Sequence, residues 1–211
     1  MLRAKLFLLL LFFSGNGSDW ELRKNEDNIS VYTRRVSTSD FKELQCKTIV
    51  KSSLGAIVKL LVDVDKYPQW IYSCTQSYRI KQIGKTESWS YQLFDAPWPV
   101  SDHDIVAVGR ITQDKKTKTI TIQSDVVNGM LPEKEDIVRI KKFHSSYILI
   151  PKPNGYVEIN FELGSDPGGI MPAWLVNMVI VKGPFTSHQK LTELLQTPAY
   201  KNARLDFIEE L

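Results

Sequence analysis

The stretch Asp166-Pro167-Gly168-Gly169-Ile170-Met171-Pro172-Ala173-Trp174-Leu175-Val176-Asn177 stops a strand, turns the chain and starts a long apolar helix. Val157, Ile159, Phe161 and Leu163 alternate just before it, which is strand periodicity. Pro167, Gly168 and Gly169 break that strand. Pro172 suits a first-turn helix position, where its missing N–H leaves no bond unmade. Trp174, Met178, Val181 and Phe185 then fall at helical spacing, an apolar stripe that needs a surface to lie against. The helix is expected over residues 172–196, interrupted and kinked at Gly183-Pro184, since proline deletes one backbone bond and clashes with the preceding turn. The tail from Ala199 to Leu211 has room for a short helix.

Upstream, the pattern is mostly strands. Trp20–Lys24, Ile29–Val36 and Phe41–Lys51 read as opening strands, with Asn25-Glu26-Asp27-Asn28 turning between the first two. Ser53 caps a first helix whose apolar residues Leu54, Ile57, Val58, Leu61 and Val62 keep helical spacing, and Pro68 closes that element. Further strands are expected at Thr75–Ile83, Ser88–Asp95, Asp104–Gln113, Thr119–Val127, Ile137–His144, Tyr147–Pro151 and Gly155–Gly164. Short connections such as Asp114–Lys118 and Pro153–Gly155 argue for antiparallel pairing. The expected fold class is α+β, with one curved antiparallel sheet and two helices.

The 211 residues suit one domain over 19–211. Hydrophobic residues are 43% and charged residues 24%, ordinary for a globular chain. Residues 1–18 read as a signal peptide: Arg3 and Lys5 form a positive start, Leu6–Phe13 an apolar run, and Ser14–Ser18 a small, polar cleavage region. The run would span only ~12 Å as a helix, against ~30 Å of bilayer core. Export to a periplasm or medium is therefore expected, with membrane association through an uncleaved leader as the alternative. Without Arg3 and Lys5 the net charge of +3 becomes +1. That is no nucleic-acid footprint. Cys46 and Cys74 permit either a disulfide or two buried free thiols, and both readings stay open.

Three segments carry a family resemblance. Asp166–Asn177 resembles the C-terminal signature of START domains, the StAR-related lipid-transfer modules. Pro97-Trp98-Pro99-Val100-Ser101-Asp102-His103-Asp104-Ile105-Val106 resembles that family's PxPxSxRD-aromatic-V segment, and Asp65-Lys66-Tyr67-Pro68-Gln69-Trp70 is a weaker match. In family order they span residues 20–197. The resemblance implies a helix-grip fold, in which a curved antiparallel sheet wraps a long C-terminal helix around an internal hydrophobic cavity. His103 stands where the family usually has arginine, so a salt bridge from that position is not carried over. Gly109 aligns with the basic member of an acid–base pair found in some START cavities, and Arg110 beside it points the other way by strand alternation. A weakly polar ligand, or one held by shape, is implied.

The ligand-lining candidates are Trp70, Tyr91, Phe94, Tyr147, Phe161, Met171, Trp174, Met178, Phe185 and His188. Most aromatics on such a list belong to a core in the simplest reading, and some face a cavity, since ligand pockets are mostly apolar with few polar groups. Met171 and Met178 adapt to varied apolar shapes. Met130 and Leu131, in the loop 128–134, and Pro184 are the gate candidates. Lys115, Lys116 and Lys118 read as a solvated hairpin tip, or as contacts to anionic headgroups.

His103, His144 and His188 lack metal-ligand spacing, and neither a nucleophile elbow nor a phosphate loop occurs. No metal, cofactor or catalytic residue is expected. The function expected is binding and shuttling of one hydrophobic molecule or lipid by a monomer that touches membranes transiently and binds no nucleic acid. Two rivals stay open: a cyclase- or hydrolase-like helix-grip enzyme, and a lipid-sensing adaptor.

Overall fold

The computed structural model describes residues 20–37, 41–166 and 173–211; nothing is described for the side chains at 173, 174 and 176–178. The expected signal peptide and Met171 therefore lie outside the described residues, as do the side chains of Trp174 and Met178.

Among the described residues, strand alternation builds ten strands. They are β1 (Glu21–Glu26), β2 (Ile29–Arg34), β3 (Glu43–Lys51), β4 (Cys74–Ile83), β5 (Glu87–Phe94), β6 (Asp102–Gln113), β7 (Ile120–Val126), β8 (Ile137–Arg139), β9 (Lys142–Lys152) and β10 (Tyr156–Asp166). Nine of them form one antiparallel path in the order β1-β2-β3-β10-β9-β7-β6-β5-β4. The helices are α1 (Leu54–Val62) and α2 (Ala173–Leu195). This is the expected α+β helix-grip architecture.

Cross-strand register turns the alternation into rows across one face of the sheet. One row runs Gln113, Ile120, Leu149, Ile159, Thr48 and Ile29. The next runs Ile111, Ile122, Tyr147, Phe161, Cys46 and Val31. A third, of smaller side chains, runs Ser88, Gly109, Ser124, Ser145 and Leu163. The first two rows supply most of the buried sheet core, against which Leu54, Ile57, Val58 and Leu61 of α1 and Leu191 and Leu195 of α2 pack. Phe185 and Val181 of α2 pack separately on Ile29, Val31 and Cys46.

Four local expectations are corrected. The breaks expected around Ser145 and Ser146 do not occur: both residues pair with β7 and β10, so β9 runs on unbroken. Long-range pairing on two sides overrides their turn tendency. The chain instead breaks at residues 140–141, and β8 pairs with β6 in parallel. Proline 184 does not interrupt α2, which is one helix through it. Pro68 does not end α1, which stops at Val62 under the Asp63 cap; Pro68 sits in a following 3-10 turn, Val64–Gln69.

The tail forms turns rather than a helix. Its Glu210 carboxylate accepts from Leu54 N at 2.9 Å and Gly55 N at 3.0 Å, while Ser53 Oγ accepts from Ala56 N at 3.2 Å. Three amides that a helix start leaves without intrahelical partners are thereby satisfied.

A candidate ligand cavity between sheet and helix

A cavity of about 590 Å³ lies between the sheet, the segment following α1, and α2. Its apolar wall comes from Ile111, Ile122, Tyr147 and Phe161 of the second row, with Trp70, Ile71 and Phe94 beside them. Tyr147 and Phe161 stack at 4.5 Å between ring centroids, and Trp70 meets Tyr67 edge-on at 5.6 Å. Such ring pairs hold a wall rigid as well as apolar.

Part of the polar wall is uncharged, while charged residues, Asp63, Arg79, Lys85 and Glu87 among them, also line the cavity. Ser88, Ser90 and Gln92 alternate along β5 and face the cavity, joined by Ser124 and Ser145. Gly109 lies in the same row; a Cβ there would sit 3.4 Å from Ser124 Oγ. Arg110 is not among the lining residues and pairs with Glu87 at 2.8 Å, so position 109 brings no basic side chain to the wall.

His188 reaches this wall from α2 and is fully buried. Its Nδ1 lies 2.7 Å from Thr48 Oγ1, and its ring stacks on Tyr147 at 6.0 Å. Burial pulls the imidazole down to about 4, so it is neutral near pH 7. His188 Nε2 and Trp70 Nε1 are both buried without a hydrogen-bond partner. The Tyr147 phenol is held well above its ordinary value by desolvation and stays protonated. No cluster of metal-holding side chains occurs among the described residues.

Of the candidates named from sequence, Trp70, Phe94, Tyr147, Phe161, Pro184 and His188 meet at this cavity. Tyr91 does not. Strand alternation turns it to the other face of β5, where it stacks on Tyr78 at 5.0 Å and accepts from Lys134 Nζ at 2.9 Å. Phe185 is also outside the cavity, on the Ile29–Val31–Cys46 cluster under Lys24.

Met130 and Leu131 are not at the cavity either. Arg139 donates to the carbonyls of Leu131 and Pro132, each at 3.2 Å, which ties their loop to the Asp104 side of β6. The adjacent strand positions Ala107 and Gly109 line the cavity, so Asp104 belongs to the opposite face.

The serines lie outside the aromatic pattern that marks the candidates in the sequence. The signal was present in Ser88-Trp89-Ser90-Tyr91-Gln92, where every second residue is polar. Tyr72 and Ser187 also line the cavity without a sequence signal, as does Gly183, which the sequence marks only as a kink position. Tyr72 N donates to Ser187 Oγ at 2.9 Å, and Ser187 Oγ donates to Gly183 O at 2.8 Å, a clasp that holds α2 over the cavity.

A twisted antiparallel sheet closed over an apolar cavity by one long C-terminal helix defines the class of helix-grip ligand-binding domains. The START domain profile matches residues 9–201. The chain belongs to the START domain family, whose members bind lipids. It is 31% identical to an uncharacterised protein of Pseudomonas aeruginosa, over 80% of this chain and 83% of that one. It is 20% identical to the mouse (Mus musculus) phosphatidylcholine transfer protein, over 79% of each. The crystal structure of a STAR-related lipid transfer protein from Xanthomonas axonopodis superposes with a TM-score of 0.77 at 30% identity, covering 84% of this chain and 99% of that one.

Proposed function

We propose that this chain binds one hydrophobic molecule in the cavity and carries it between membrane surfaces. The observation that supports this most is the cavity itself: about 590 Å³, walled by stacked aromatic and aliphatic side chains, with hydroxyls and one neutral imidazole as its inner polar groups. A space of this size and lining suits an organic ligand of moderate size. The relatives named for lipid transfer support the same reading.

Transfer by such a domain is extraction and shielding. Each CH2 buried contributes about 0.8 kcal/mol, the scale that also holds an acyl chain in a bilayer. The protein therefore needs an equally apolar interior and a way in, rather than a large net binding energy. In this reading α2 is the moving part, with Pro184 as its weak point and the Tyr72–Ser187–Gly183 clasp as its latch. The loop 128–134 takes no part, because Arg139 anchors it on the other face. The working form is a monomer that meets the membrane only transiently and acts after export.

An enzymatic role draws no support from the cavity. His188 is hydrogen-bonded to Thr48 rather than to a carboxylate, and each acidic lining residue is engaged: Asp63 by Tyr200, Asp65 by the Arg79 amide, Glu87 by Trp89 and Arg110, and Asp206 by Lys85. The test is native mass spectrometry of the purified chain, followed by solvent extraction. A stoichiometric added mass that releases a lipid is expected. A clean ligand-free mass with no uptake from mixed liposomes would overturn the reading.

A further inference from the structure

The inner wall of the cavity offers hydrogen bonds but no free charge. Among the described lining residues, the ionised groups are exposed at the rim or engaged elsewhere. Lys85 pairs with Asp206, Glu87 with Arg110, and Asp63 accepts from the Tyr200 hydroxyl at 3.0 Å. Arg79 donates to the Val62 carbonyl at 2.7 Å, and Lys59 and Asp65 are exposed. Ser88, Ser90, Gln92, Ser124, Ser145 and His188 bring no ionised group to their part of the wall, so a phosphate or a quaternary amine set against them would meet no counter-charge there, which is costly.

Size points the same way. A cavity of about 590 Å³ falls within the roughly 300–1,000 Å³ of pockets that hold one drug-sized molecule, the scale of one sterol or one single-chain lipid.

Two buried polar atoms of lining residues then ask for partners, the donor Trp70 Nε1 and His188 Nε2, and the second sits beside the Thr48 contact. His188 Nδ1 is committed to Thr48, and Nε2 of the same ring, on the cavity wall, has none. Native proteins rarely leave such atoms unpaired, so each one needs an account. A ligand hydroxyl both donates and accepts, so it satisfies Nε2 in either tautomer.

We propose that the ligand is an uncharged lipid with one ring system or one chain, and that its hydroxyl hydrogen-bonds His188 Nε2. This rests on the ligand-binding reading above and narrows it to a neutral class. His188 sets specificity here: it selects the hydroxyl-bearing molecule over the matching hydrocarbon.

The test offers the full chain vesicles of phosphatidylcholine and phosphatidylglycerol that contain minor fractions of a sterol, a monoacylglycerol and a long-chain alcohol. The protein is re-isolated and its bound lipid identified by native mass spectrometry. One of the three hydroxyl lipids, one per chain, is the expected result. Bound phosphatidylcholine or phosphatidylglycerol would overturn this inference and leave lipid binding standing. No bound lipid at all would overturn both.

The retained lipid is then competed against the same skeleton without its hydroxyl. The native chain should prefer the hydroxyl form about tenfold. His188→Phe should abolish that preference while still binding the hydrocarbon. His188→Gln, which keeps a buried donor and acceptor, should reduce it about threefold. An unchanged preference in whichever of the two variants folds would overturn the anchor role.

Discussion

Asp104 and Arg139 form a buried ion pair, with Nε to Oδ1 at 2.5 Å and Nη2 to Oδ2 at 3.0 Å. Their side chains are 1% and 3% exposed. The family resemblance placed an arginine one residue before Asp104, where this chain has His103. The cation comes instead from β8, which lies parallel to β6 and brings Arg139 opposite Asp104. His103 is buried beside them with Nε2 unpartnered. Removing one member of such a pair strands a buried charge. Asp104→Asn or Arg139→Met should each cost about 3–5 kcal/mol. The double variant Asp104→Leu/Arg139→Met should lose less than the two single losses combined. Urea unfolding of all three checks this, and simple additivity would mean the two residues act independently.

The buried imidazole makes folding sensitive to acid. Unfolded, His188 titrates near its ordinary 6.5; folded, it is held near 4 by burial. As pH falls below 6.5 the unfolded chain takes up a proton that the folded chain refuses. Stability is therefore full above pH 6.5 and declines toward pH 4, by up to about 3 kcal/mol from this group. The groups facing His188 are Thr48, Tyr147 and Phe161, none of which titrates in that window. In urea titrations across this range, His188→Phe should show a slope shallower by about one proton. An equal slope would place the acid sensitivity elsewhere.

Cys46 and Cys74 are free and buried. Desolvation pushes the Cys46 thiol up to about 12 and the Cys74 thiol up to about 11. Thiolate is the reactive form, so both should resist alkylation at pH 8 in the native chain and react in denaturant. Mass spectrometry after iodoacetamide should find neither modified natively and both after unfolding. Rapid native labelling of either would contradict the burial described.

A crosslink can test whether α2 is the moving part. A Cβ built on Gly183 would lie 4.0 Å from Tyr72 Cβ. That falls within the roughly 3.5–4.5 Å a disulfide requires. Tyr72→Cys/Gly183→Cys, made with Cys46→Ala and Cys74→Ser, should slow ligand exchange at least tenfold when oxidised and recover on reduction. Exchange at the native rate in the oxidised form would show that the route does not pass under this part of α2.

Glu210 should contribute to stability from the far end of the chain. Its carboxylate takes two amides at the start of α1 and pairs with Arg204 at 3.0 Å. Glu210→Ala should cost roughly 1 kcal/mol, the usual loss for a helix cap, and Glu210→Asp less. A thermal-melt difference near zero would show that Ser53 alone suffices.

Local chemistry settled much of this protein. Alternation located nearly every strand, helical spacing located both helices, and Asp166–Asn177 with Pro97–Val106 pointed to the family. Strand alternation also sent Arg110 away from the cavity, because a side-chain period of two depends only on the neighbouring bonds. The tertiary structure decided what depends on partners distant in sequence. It carried β9 unbroken through Ser145 and Ser146, since β7 and β10 pair with both. It turned Tyr91 and the 128–134 loop away from the cavity while bringing Thr48, Tyr147, Phe161 and His188 together across three strands and a helix. It also delivered Arg139 to Asp104 and Glu210 to α1. Periodicity is written in adjacent bonds and can be read from them. Register between strands and the docking of one helix follow from summed burial and pairing over the whole chain, which no short stretch contains.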